Sequence, residues 1–337
     1  MATIVEVKNL TKRFSEDVLA VDDISFSVEE GEVFGFLGPN GAGKSTTINM
    51  LTTLLRPTSG EARLFGLDIA TQQDEVRKII GLVPQDLTVD DDLTGRENMY
   101  LQADLYAVPR GEARRRINEL LDVVKLEDAA DRLVKTYSGG MRKRLELAEG
   151  LIHHPRVLFL DEPTLGLDVQ TRAAIWTYIR ELKKAHNITV FLTTHYLEEA
   201  DDLCDRIAII DRGKIIALDT PETLKRSVGG GVLELKVSSE EDLIPMIMGV
   251  PGILDAKKDG DTYRIKALKG EAATPGVLKA IWDRGGTVTS VSLTRPSLDQ
   301  AFLEYTGRSM RDAEQMTSGA GSRGDRFRRA AMSERRR

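Results

Sequence analysis

Residues Gly38-Pro39-Asn40-Gly41-Ala42-Gly43-Lys44-Ser45-Thr46 fit the pattern G-x-x-x-x-G-K-[ST] at every fixed position. The chemistry such a run offers is phosphate binding. Its glycines let the backbone wrap closely around an anion, which backbone N–H groups and the positive end of the next helix then face. Lys44 can sit against β- and γ-phosphates, and the Ser45 hydroxyl can ligate Mg²⁺. The flanks agree: Val33 to Leu37 is an apolar run that reads as a buried strand, and Thr46 to Leu51 can open a helix. A nucleoside triphosphate is the expected ligand.

Further along, Val157 to Leu160 is a continuous apolar run ending in Asp161-Glu162, as expected of a central parallel strand opening at its C-terminal edge. Asp161 can hold the Mg²⁺ shell, and Glu162 can polarise an attacking water as a base. About twenty residues upstream, Tyr137-Ser138-Gly139-Gly140-Met141 leads into a strongly helical run. The amides of Gly139 and Gly140 with the Ser138 hydroxyl make a second anion site at a helix start. Two such sites for one nucleotide suggest that the second completes the active site of a partner.

The phosphate loop, the Ser138-Gly139-Gly140 signature, Asp161-Glu162 and the downstream His195 together resemble the ATP-binding-cassette (ABC) family, in that family's order. The resemblance covers roughly residues 3–220. It implies ATP and Mg²⁺ as cofactors and three further site residues. Phe14 matches the aromatic that stacks on adenine. Gln85, in Val83-Pro84-Gln85, matches the glutamine that senses Mg²⁺ and the membrane subunit. Asp168, in Leu165-Gly166-Leu167-Asp168, matches the aspartate that bridges the two halves of a dimer. The chain departs from the family at Met141, usually glutamine, and at Tyr137, usually leucine. The form Tyr-Ser-Gly-Gly-Met-Arg is similar to the daunorubicin-resistance branch of drug-exporter ATPase subunits. Partners implied are a second copy of the chain, head to tail, and integral membrane permease chains, with the ATPase on the cytoplasmic face of the membrane.

These groups need a frame to hold them. Ile4 to Val7 and Ile24 to Val28 alternate apolar and polar, predicting antiparallel strands. Helical periodicity at Met99 to Leu105 and Ala113 to Val124, split by Pro109 and Gly111, predicts a helical subdomain over about 88–150. Strand candidates at Val157, Thr189 and Arg206 then alternate with helices at Thr171 and Leu197. That alternation implies a doubly wound sheet with ligands at strand C-terminal ends. His195 falls just past one such strand, where it can hydrogen-bond a γ-phosphate and orient water. The expected fold is therefore α/β: a phosphate-loop, RecA-like domain over 1–226 with antiparallel and helical subdomains.

Gly229-Gly230-Gly231 reads as a hinge. Beyond it, strand and helix candidates in the order β-α-β-β-α-β predict a small ferredoxin-like α+β domain over 227–308, without a catalytic constellation. Residues 309–337, rich in Ser, Gly and Arg, read as a disordered basic tail. Arg142-Lys143-Arg144 reads as a solvated helix face, and His153-His154 as a loop.

Composition fits a soluble enzyme. Of 337 residues, 41% are hydrophobic and 30% charged, enough for one large and one smaller domain. A net charge of −6 argues against a nucleic-acid partner. The single Cys204 rules out an internal disulfide. No apolar run approaches the roughly 20 residues a membrane span requires, and Met1 to Lys8 lacks the shape of a signal peptide. Transport would need separate membrane chains. A kinase or small GTPase would lack the Ser-Gly-Gly signature, and intact Glu162 and His195 disfavour a silent sensor. The alternative is a non-transport cassette ATPase of translation or DNA repair, though such proteins generally carry paired cassettes, zinc cysteines or coiled-coil inserts absent here.

Overall fold

The computed structural model describes residues 2–16, 18–227, 231–239, 242–294 and 297–319. They form two compact units, one of Met1–Asp219 with the residues from Met310, the other of Thr220–Ser309.

In the first unit, Thr3–Ser15 and Val18–Glu29 pair antiparallel, and Ser59–Leu64 and Leu67–Asp68 extend the pair to a four-stranded sheet. A second, six-stranded sheet has the order 214–219, 206–211, 33–37, 189–194, 157–161, 80–83. Its strands are parallel except Lys214–Asp219, which runs antiparallel along the edge. Val33–Leu37, Val157–Asp161 and Thr189–Thr194 are buried at every position, because a parallel sheet covered on both faces has no solvent side to alternate with.

Phenylalanines join the two sheets. Phe34 and Phe36 point to one face, and Phe191 and Phe159 stand beside them in register. Phe26, from the antiparallel sheet, stacks on Phe34 with ring centroids 5.4 Å apart and reaches Phe191 at 6.0 Å. Four of the five rings are fully buried, and each large ring contributes roughly 1.5–3 kcal/mol by burial. This core fixes the plane from which the site residues project.

The helical subdomain contains Gly95–Leu105, Arg110–Val123 and Gly139–Glu149. Thr94 and Glu97 close a capping box that starts the first of these. Gly111 lies inside the second helix, and Pro109 is its N-cap.

The Thr220–Ser309 unit runs strand Val232–Ser238, helix Ile244–Met248, strands Ile253–Asp259 and Thr262–Ala267, helix Gly270–Trp282 and strand Thr287–Thr294. Its antiparallel sheet has the order 253–259, 262–267, 232–238, 287–294. That is the ferredoxin-like arrangement, with a core of Leu233, Leu235, Tyr263, Ile265, Val277 and Ile281. Helix Leu298–Thr306 follows, opened by a Ser297–Gln300 capping box. Gly229 and Gly230 of the expected hinge, Glu241 at the expected start of a helix, and Pro296 lie outside the described residues.

Two expectations are corrected. Met310–Gly319 is helical, not disordered. Met310 and Ala313 are both buried, a one-turn apolar pair that the polar composition of the segment hid. The expected basic tail beyond 319 lies outside the described residues. Nor is Arg142-Lys143-Arg144 a solvated face: Lys143 is 5% exposed, and Arg144 donates to the Val124 carbonyl at 2.8 Å and lies over the Tyr178 ring.

Candidate active site

Parallel register brings the C-terminal ends of three strands to one edge. Leu37 stands opposite Thr194, and Asp161 opposite Thr193. The phosphate loop leaves the first strand, Glu162 follows the third, and His195 follows the second. The loop turns into helix Lys44–Leu51 through Gly43, whose φ is +110°. A Cβ there would stand 2.6 Å from the Ala20 carbonyl oxygen, so this corner requires glycine.

Lys44 turns back over its own loop. Its ammonium donates to the carbonyls of Gly38 at 2.7 Å and Pro39 at 3.2 Å, and pairs with Glu162 Oε1 at 3.0 Å. All three of its N–H donors are thereby engaged. Glu162 Oε2 meets His195 Nδ1 at 3.0 Å. Burial alone would push this carboxyl up, but His195 and Lys44 outweigh it and hold Glu162 down at about 2. Glu162 has φ +49°, an uncommon left-handed conformation for a non-glycine residue. Ser45 Oγ donates to Asp161 Oδ1 at 3.1 Å. Burial pushes the Asp161 carboxyl up, against the pull of hydrogen bonds from Thr193 and Ser45.

Thr193 is one residue at this edge that the sequence did not disclose. Its hydroxyl donates to Asp161 Oδ1 at 2.6 Å and accepts from the Glu162 amide at 3.0 Å, so one buried oxygen sets the spacing of both acids. No linear motif marks it; only the register of the strands does.

Ser138, Gly139 and Gly140 form a separate cluster. Ser138 caps helix Gly139–Glu149 by accepting from Met141 N at 3.3 Å. A Cβ on Gly140 would stand 2.5 Å from Thr171 Cγ2, which brings this helix start against the one led by Asp168. Asp168 accepts from Thr171 N at 2.9 Å and from Thr171 Oγ1 at 2.6 Å; those bonds hold its carboxyl below the usual range. Among the described residues no hydrogen bond links this cluster to the phosphate loop.

Gln85 is half-buried just past strand Ile80–Val83, at the edge that also carries Asp161 but without a contact to it. Its loop is tied down by two residues that the sequence did not reveal. Lys143, on the signature helix, donates to the Pro84 carbonyl at 3.0 Å and pairs with Glu146 at 3.0 Å; Glu146 accepts from Thr88 Oγ1 at 3.0 Å. A cleft of about 220 Å³ opens here, lined by Pro84, Thr88, Leu101, Glu146 and Glu149 among others. Burial, with Glu146 nearby, pushes Glu149 up to about 8. Phe14 is half-buried on Thr3–Ser15, with the Lys12 ammonium 5.0 Å above its ring.

Comparison with known proteins shows the family of the chain. The ABC transporter family profile matches residues 21–165. A profile for the C-terminal domain of DrrA1-3-like ATP-binding proteins matches residues 220–306. The daunorubicin resistance ATP-binding protein DrrA2 of Streptomyces coeruleorubidus is 43% identical, over 92% of this chain and 97% of its own. The doxorubicin resistance ATP-binding protein DrrA of Mycobacterium tuberculosis is 39% identical over 94% and 97%. The Nod factor export ATP-binding protein I of Ralstonia nicotianae is 39% identical over 92% and 95%. Among solved structures, CbiO1 from Clostridium perfringens, part of an ABC transporter complex, aligns with a TM-score of 0.63 at 28% identity over 66% of this chain and 91% of that one. The cassette MJ0796, a dimer bound to ADP and Pi, aligns at 0.58 and 30% over 64% and 98%. Relatives of this kind are transporter subunits, which leaves the translation or repair alternative without support. The chain is an ABC transporter ATPase and belongs to the DrrA-like branch of that family.

Proposed function

We propose that this ATPase powers export of a small molecule through separate integral membrane permease chains, working as a head-to-tail dimer at the cytoplasmic face of the membrane. The observation that carries the proposal is the split of the site. Lys44, Ser45, Asp161, Glu162 and His195 converge at one sheet edge, whereas Ser138-Gly139-Gly140 and Asp168 lie together in another cluster. Each cluster holds half of what a triphosphate needs. Two chains facing head to tail would bring one cluster of each against the other.

In this reading the amides of Gly38 to Thr46 and the Lys44 ammonium take the β- and γ-phosphates, and Phe14 stacks on adenine. The partner's signature helix closes over the γ-phosphate. Ser45 Oγ and Asp161 Oδ1, hard oxygen donors 3.1 Å apart, suit Mg²⁺, which takes few protein ligands besides substrate phosphates. Ser45 and Asp161 would hold the ion, whose charge would offset negative charge on the phosphates. Gln85 would sense that ion from its loop. Glu162 polarises the attacking water, and His195 holds Glu162 while orienting toward the γ-phosphate. Loss of the γ-phosphate removes contacts from both halves, so the dimer opens. The cleft beside Gln85 would pass that motion to the permease. The absence of any helix long and apolar enough to cross a membrane, among the described residues, is consistent with a need for such chains, and the export named for two relatives, both Nod factor export ATP-binding proteins, supports its direction.

The test is purification of the tagged chain from native membranes, with identification of what accompanies it. A multi-spanning hydrophobic partner is expected. Soluble partners alone would overturn the transport reading and leave the ATPase standing.

A further inference from the structure

Glu199 lies in helix Leu197–Leu203, four residues beyond His195, and is 0% exposed. A carboxyl so deep ordinarily has a cation beside it; among the described residues this one has none in ion-pair range. Its partners are neutral. Oε1 accepts from Thr164 Oγ1 at 2.9 Å and from Trp176 Nε1 at 2.9 Å. Oε2 is buried with no hydrogen-bond partner. Burial pushes the carboxyl up, against the pull of Thr194, Thr164, Trp176 and the nearby His195.

The two donors come from separate segments. Thr164, itself fully buried, lies two residues beyond Glu162. Trp176 projects from helix Val169–His186, the helix that Asp168 caps. One side chain therefore fastens together the segment following the acids, the helix led by Asp168 and the segment following His195. Among the described residues neither of these hydrogen bonds goes to the phosphate loop.

We propose that Glu199 is a positioning residue for ATP hydrolysis: its buried carboxyl, by holding Thr164 and Trp176, sets the spacing of Glu162 and His195. The inference rests on the reading that those two residues serve the chemistry. A misplacement of about 1 Å in a reacting group can cost on the order of 100-fold in rate, which is the scale on which such a clamp acts. Removing it should lower kcat and leave the phosphate loop, and with it nucleotide affinity, intact.

The experiment is steady-state ATP hydrolysis by the full-length chain carrying Glu199→Gln, Glu199→Leu, Thr164→Val or Trp176→Phe, with Glu162→Gln run in parallel. The Glu199→Gln carboxamide oxygen still accepts from both donors, so its kcat should stay within about 3-fold of the parent. Glu199→Leu keeps volume but accepts nothing, and its kcat should fall about 10- to 100-fold with KM for ATP moved less than about 3-fold. Thr164→Val and Trp176→Phe each remove one donor; they should fall between these limits, and they carry the test if Glu199→Leu does not fold. Parental kcat in every clamp variant that folds, equal damage in Glu199→Gln and Glu199→Leu, or a rise of KM in step with lost kcat would each overturn the proposal. Persistent hydrolysis by Glu162→Gln would instead sink the underlying site reading, so the two failures are distinguishable.

Discussion

Lys44 Nζ lies 3.0 Å from Glu162 Oε1, with the two side chains 4% and 6% exposed. The same ammonium is the group that a phosphate loop presents to its ligand, so one cation serves two anions. A phosphate that draws Lys44 toward itself takes a positive neighbour from Glu162. The acid then becomes more basic at the moment a water has to be polarised.

Lys44→Ala is accordingly expected to do two things. It should abolish tight ATP binding, and it should destabilise the fold, because removal of one partner from a buried pair costs roughly 3 kcal/mol or more. His195 remains to Glu162, so the loss should sit at the lower end. Adding Glu162→Gln should restore part of the stability and none of the affinity. Thermal melts and nucleotide titration of the single and double variants check this; additive stabilities would contradict a direct pair.

Glu162→Gln alone should bind ATP, fail to hydrolyse it and accumulate an ATP-bound dimer. Size-exclusion chromatography with ATP and Mg²⁺ reads the dimer, and a phosphate-release assay the hydrolysis. An unchanged rate would remove Glu162 from the role of base.

Two buried carboxyls give opposite pH signatures. Glu162 is held at about 2 in the folded chain, so its contribution is present above about 4.5, the unfolded value, and is lost as pH falls toward 2. Glu149 is raised to about 8; the folded chain binds the extra proton, and stability declines as pH rises from about 4.5 through 8. Glu149→Gln should therefore raise the melting temperature at pH 9 and change little at pH 5. A gain of equal size at both values would refute the assignment.

Thr193→Val keeps volume but removes the hydroxyl shared by Asp161 and the Glu162 amide. Among the described residues Asp161 Oδ1 then keeps only Ser45, and the Glu162 amide only the Thr193 carbonyl; losing the two bonds should cost roughly 1–3 kcal/mol, and kcat should drop by about 10-fold or more. Steady-state kinetics with circular dichroism separates this from misfolding. A variant with parental kcat would show that the acids hold their spacing without it.

Cutting the tie between the signature helix and the Gln85 loop should uncouple transport from hydrolysis. Glu146→Leu releases Thr88 and strands Lys143, whereas Lys143→Met with Glu146→Leu removes the buried charges together. The double variant should be the more stable one, with basal hydrolysis kept within about 3-fold but lost stimulation by the permease. Normal stimulation in the double variant would show that the tie is only structural.

What could be read from the sequence was what is local. The phosphate loop, the Ser138 cap and the Asp161-Glu162 strand end each carry their signal within a few residues, and the order of the ferredoxin-like unit follows from alternating patterns. What could not be read depends on partners distant in the chain. Thr193 acquires its role only because Asp161 stands opposite it in register. Lys143 and Glu146, three residues apart on a helix, look like an exposed pair until the 84–88 loop covers them. Ser59–Leu64 holds glycine and glutamate and has little strand propensity of its own; pairing with Thr3–Ser15 makes it a strand.

The in-phase packing of strands 33–37, 189–194 and 157–161 also limits how this chain can change its length. Side chains alternate along each strand, so deleting one residue from Val157–Asp161 would turn the acid from the rim into the sheet's interior or its opposite face. A compensating deletion in one neighbour would mismatch the other. Insertions and deletions should therefore gather in surface turns away from the nucleotide rim, and these three strands should keep a fixed number of residues however far the rest of the sequence drifts.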